Sequence, residues 1–169
     1  MDAEKIDGFV DWTPFKHPTL GDVEIGGFKP YATVNPPAAK IAELGAGHAK
    51  FVVYLTSLFP RIAIAKTEVA ALGGGLYRIK AEVENSGYLP TALAQGMVAR
   101  AVKPVMVQLG VPPETILTGA EKTNSIPALA GSGTRMAFEW VIKGKPETSV
   151  TLKVVSQKAG TDQAILLLP

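Results

Sequence analysis

Leu76-Tyr77-Arg78-Ile79-Lys80-Ala81-Glu82-Val83-Glu84 decides the fold class, because its apolar and charged residues alternate without a break. Tyr77, Ile79, Ala81 and Val83 face one way; Arg78, Lys80, Glu82 and Glu84 face the other. A period of two with one dry and one wet face is the signature of a half-buried antiparallel strand. Met136, Phe138, Trp140 and Ile142 alternate with charged neighbours in the same way, and so do Val150, Leu152 and Val154. Segments 62–69, 104–109 and 164–168 read as further strands. The turns between them hold Gly73-Gly74-Gly75, Asn85-Ser86-Gly87, Gly131-Ser132-Gly133, Lys143-Gly144-Lys145 and Ala159-Gly160-Thr161-Asp162. Roughly six or seven strands so punctuated predict an immunoglobulin-like β-sandwich over residues 61–169, with Tyr77 and Trp140 in its core. Residues 93–100 interrupt the pattern with a short helix whose length Gly96 limits.

Upstream of Pro60 the grammar differs. Residues 9–36 are dense in Trp, Phe, Pro and Gly, which rules out a long helix and is too aromatic for a disordered linker. This predicts an ordered, irregular segment with one short strand near 22–25. Asn35-Pro36-Pro37 then reads as a helix start, with Asn35 capping and proline in the first turn. Apolar positions at Ile41, Leu44, Val52 and Leu55 give a helix near 37–58 that Pro60 ends. The fold class is therefore α+β, with domains at 1–60 and 61–169.

Composition narrows the function classes. Seventeen basic against 15 acidic residues leave a net charge of +2 with no long run of either sign, so no nucleic-acid surface is indicated. The absence of cysteine removes disulfides, a thiol nucleophile and a zinc ribbon. Met1-Asp2-Ala3-Glu4-Lys5 is no signal-peptide start, and no apolar run reaches the roughly 18 residues of a membrane span.

Few residues offer chemistry. Glu24 sits in Gly21-Asp22-Val23-Glu24-Ile25-Gly26-Gly27, a carboxylate between β-branched residues at a strand end. The glycines beside it let a substrate or another backbone come close. Spacing alone leaves open whether it is a catalytic group or an exposed glutamate on a strand edge. His17 and His48 are the only histidines, too few and too distant for a zinc signature. His48 falls near the helix's apolar stripe and reads as a hydrogen-bonded core residue; His17 reads as an extended loop residue. Ser125, Ser132 and Thr134 lack an adjacent base, and Gly73-Gly74-Gly75 precedes a strand, so it is a turn and no phosphate cradle. Trp12 and Tyr88 lie outside the regular pattern.

Trp12-Thr13-Pro14-Phe15-Lys16-His17-Pro18-Thr19-Leu20-Gly21, with Val23-Glu24-Ile25-Gly26-Gly27 and Asn35-Pro36-Pro37, resembles the C-terminal end of bacterial M14 zinc carboxypeptidases that carry a trailing β-sandwich. The resemblance covers about residues 9–60. It implies that Glu24 is the general base activating a zinc-bound water. It also implies that residues 1–60 close a peptidase domain and that 61–169 form an accessory module. The family's His-x-x-Glu zinc pair and later histidine have no match here. The expectation is thus a fragment, inactive alone, with zinc in the parent enzyme and none on this chain. The implied partners are an upstream catalytic domain of the same polypeptide and a peptide or peptidoglycan-type substrate. The implied parent is secreted or periplasmic. Self-association through an uncovered helix face is also expected. The competing reading is a non-catalytic binding or adhesion domain for a glycan or protein, with Glu24 incidental.

Overall fold

The computed structural model describes residues 6–169; the first five positions of the expected 1–60 domain, including the stretch read for a signal, lie outside them. The chain divides into two compact units, residues 1–53 and 54–169.

The first unit opens with an antiparallel hairpin of β1 (Phe9–His17) and β2 (Gly21–Phe28). Its register pairs His17 with Gly21, Pro14 with Glu24 and Thr13 with Ile25, then slips between Val10 and Thr13. The expected strand near 22–25 is thus β2, and the segment read as irregular supplies its partner. Pro14 concealed that partner, because a proline argues against a central strand. In a two-stranded ribbon every strand is an edge, so the missing N–H can face away from the ladder. The slip brings the β1 backbone against Gly26: a Cβ there would lie 2.7 Å from the Trp12 Cα, so only glycine fits.

A 3-10 turn at Ala38–Lys40 leads into α1 (Ile41–Ser57), matching the expected helix. Its start differs from the expected one. Pro37 precedes the turn without a side-chain cap, and Asn35 instead donates its backbone N–H to the Tyr31 carbonyl at 2.9 Å. Pro37 is itself extended (φ −57°, ψ 143°), so the first turn begins beyond it and Asn35 lies too far upstream to be its cap. No residue of α1 is buried. His48 is exposed with the rest, which corrects its reading as a core histidine.

The second unit holds β3 (Ile62–Gly73), β4 (Leu76–Asn85), α2 (Ala94–Val98), β5 (Val105–Leu109), β6 (Ile116–Gly119), β7 (Thr123–Ile126), β8 (Thr134–Lys143), β9 (Ser149–Ser156) and β10 (Gly160–Leu167). They form two four-stranded sheets of order β3-β4-β8-β6 and β10-β9-β5-β7, antiparallel throughout. The alternation read from the sequence sets their inner faces. Tyr77, Ile79, Ala81 and Val83 of β4 join Trp140 and Ile142 of β8 in one core with Val105, Val107, Val150, Leu152 and Val154 of the other sheet. Burying a side chain of this size contributes about 1.5–3 kcal/mol, so this shared core dominates the unit's stability. The Trp140 indole N–H donates to the Glu121 carbonyl at 2.8 Å, so the largest core side chain leaves no polar atom unpaired.

One end of the unit is closed by polar contacts. Asn85, fully buried, accepts from the backbone N–H groups of Arg61 (2.9 Å) and Gly87 (3.2 Å). Its amide donates to the carbonyls of Leu89 (2.9 Å) and Leu129 (3.2 Å). Three loops are therefore tied to one side chain.

Candidate functional site

Glu24 lies in the middle of β2, opposite Pro14. Residues two apart on a strand share a face, which places Asp22 beside it, and Asp22 pairs across the ribbon with Lys16. Glu24 is exposed, and no hydrogen bond or ion pair with a described residue engages its carboxylate. Gly27 follows with φ +112°, a conformation that side chains resist, and the Trp12 ring passes over it. The ribbon thus offers an exposed carboxylate on a backbone packed by Trp12 and two glycines.

The histidines do not join it. His17 ends β1, and its Nδ1 accepts from the backbone N–H groups of Thr19 (3.3 Å) and Leu20 (3.2 Å). The imidazole closes the Pro18-Thr19-Leu20 turn, so its Nε2 carries the proton and the residue is more constrained than the extended loop residue expected. Among the described residues no group of three or more His, Asp or Glu is placed to hold a metal ion. Among them, too, no helix is long and apolar enough to cross a membrane.

In the second unit, the outer face of β4 and β8 carries a charge ladder. Arg135 donates to Glu84 at 2.6 Å and to Glu82 at 3.1 Å. The hydrogen bond to Glu84, then that to Glu82, with Coulomb attraction to both, holds the guanidinium above its ordinary value. These are solvent-facing pairs that organise a surface rather than a reaction. A different feature lies beside α2: a groove of about 490 Å3 walled by Phe59, Pro60, Leu89, Pro90, Leu93 and Val102. Sequence reading missed it, because its walls come from separate segments, 59–60 and 89–102, and carry no motif.

Residues 61–166 match the family described as Domain of unknown function (DUF8731). The chain belongs to this family. The DUF8731 segment contains both sheets, while Glu24, the hairpin and α1 lie outside it. No curated protein matches the chain. Among solved structures it is similar to DesR, a beta-glucosidase from Streptomyces venezuelae in complex with D-glucose, at 14% identity and a TM-score of 0.30. That similarity covers 65% of this chain and 15% of the glucosidase chain, so this chain spans a small part of that enzyme. A likeness at that score carries no argument about activity.

Proposed function

We propose that the chain is the C-terminal part of a zinc carboxypeptidase of the M14 family, in which Glu24 is the general base. On this reading residues 1–60 complete the peptidase domain, and residues 61–169, which carry the DUF8731 match, form its accessory module, of immunoglobulin-like type. The zinc ligands, the groups that hold the substrate and the substrate itself belong to the rest of that enzyme. The observation that carries the reading is the exposed Glu24 carboxylate within the stretch that resembles the peptidase, together with uncovered apolar residues on the hairpin and, separately, on α1. Phe9, Trp12, Phe15, Ile25 and Phe28 of the hairpin are all exposed, as are Ile41, Leu44, Val52 and Leu55 of α1. Aromatic and aliphatic surface on this scale is uncommon in a stable monomer and marks a contact face.

The chemistry follows from the carboxylate. With zinc supplying the Lewis acid, the task left to Glu24 is to take a proton from water and pass it to the leaving amine. The strand fixes the position of the Glu24 backbone, and on this reading the rest of the enzyme would orient its carboxylate. The immunoglobulin-like reading is supported by strand order: β3-β4-β8 and β5-β9-β10 follow the two sheets of that fold. The chain departs from it between β5 and β8, visiting the edge of the first sheet as β6 before the edge of the second as β7.

A second reading is favoured by the extent of the family match, which leaves Glu24 outside it: the DUF8731 domain acts as a binding module and Glu24 is incidental. One experiment separates them. The polypeptide from the complete reading frame and residues 1–169 alone are each assayed with zinc for release of C-terminal amino acids. The peptidase reading expects zinc-dependent release by the former and none by the latter. Release by neither, with no zinc bound, favours the binding module.

A further inference from the structure

We propose that the groove beside α2 binds a free fatty-acid-type ligand, an apolar chain ending in a carboxylate. Its walls, Phe59, Pro60, Leu89, Pro90, Leu93 and Val102, are apolar, and about 490 Å3 falls within the range of small-molecule sites. The wall residues Phe59 and Leu93 are 54% and 66% exposed, so this apolar surface is uncovered.

The polar groups at the groove select the head group. They are Gln95, Gln157, Lys158 and Thr91, whose hydroxyl already accepts the Leu129 N–H at 2.9 Å, and no carboxylate lines the site. Gln157 already accepts the Lys103 backbone N–H through Oε1 at 2.9 Å, which leaves its NH2 to donate. Lys158 contributes a cation that forms no ion pair with a described residue. A cation and an amide N–H beside an apolar trough complement an anion with an apolar tail.

The backbone of the walls selects the tail. Pro60 and Pro90 have no N–H. Leu89 donates its own to the Leu58 carbonyl at 2.9 Å and Thr91 donates to the Leu129 carbonyl at 3.0 Å. A peptide laid in the groove would find these wall donors spent, and its amides would lose water without gaining partners. A hydrocarbon chain asks for none.

The test is an amide chemical-shift titration of the full 169-residue chain with octanoate, octanamide and an acetylated, amidated Leu-Val-Leu tripeptide, at roughly millimolar concentrations. Octanoate is expected to move the amides of Leu93, Gly96, Val102 and Lys158, with octanamide about three- to five-fold weaker, as loss of one exposed charge contact implies. Lys158→Gln should abolish that preference for the acid. Leu93→Ser, at an exposed position that does not threaten folding, should weaken both ligands. No shift in these amides, equal binding of acid and amide, an unaffected Leu93→Ser variant, or tighter binding of the tripeptide would each overturn the proposal.

Discussion

Asn85 and Gly26 show how much a single position decides in this chain. Asn85 was legible as a turn residue after a strand, since Asn-Ser-Gly favours a tight reversal. Its four hydrogen bonds were not legible, because one partner, Leu129, lies 44 residues away. Truncating it would leave the N–H groups of Arg61 and Gly87 and the Leu89 carbonyl without this partner, while the Leu129 carbonyl keeps the Thr91 N–H. Asn85→Ala should therefore cost roughly 3 kcal/mol of stability, read as a lower urea midpoint with an unchanged slope. Gly26 carries the opposite constraint: the sequence marks a flexible site, and the fold needs the absence of a side chain. Gly26→Ala drives a Cβ into the Trp12 backbone, and should displace the ribbon by about 1–3 kcal/mol. Loss of cross-strand contacts between Thr13 and Ile25 in nuclear Overhauser spectra would check it, while β3 to β10 stay unchanged.

At the scale of elements, alternation made β4, β8 and β9 readable, because one buried face leaves a period-two trace. β6 and β7 escaped, each being four residues long and bearing Thr, Asn, Ser or Gly at half its positions or more. β1 escaped because Pro14 spoke against it. Helix α1 was readable from its stripe, and the stripe's exposure was expected only through the resemblance, since periodicity shows which face is apolar and not what covers it. Leu44→Glu and Val52→Glu should leave the fold's stability within about 0.5 kcal/mol, as both side chains are exposed. The same pair should lower any self-association seen in sedimentation equilibrium, because charge on that face opposes contact between copies. In the ladder on β4 and β8, the folded state raises the affinity of Arg135 for its proton. Its contribution to stability is fully present below the unfolded-state value and is lost only as pH rises through the folded one. Both lie in strongly alkaline solution, so thermal melts between roughly pH 6 and pH 9 should show no step from this group.

For the whole molecule, the core of both sheets lies in the second unit, and the described part of the first has its larger apolar side chains exposed. The difference predicts unequal protection. Amides of Val83, Val107, Leu152 and Val154 should exchange only with global unfolding, whereas those of β1 and β2 should exchange at least about a hundredfold faster. Uniform protection across both units, read by hydrogen exchange, would contradict this. The α+β class was legible in the sequence because two hydrophobic periods occupy separate halves of the chain. On the proposed peptidase reading the site is legible only as far as one carboxylate, since chemistry that needs several groups leaves no local pattern when one of them alone is present. That single residue gives the account its sharpest test. Glu24→Gln in the polypeptide from the complete reading frame should keep bound zinc and substrate affinity while kcat falls by about 10^2–10^4, the usual worth of a general base. Unchanged kcat in the zinc-loaded Glu24→Gln protein would contradict the assignment of Glu24 as the base.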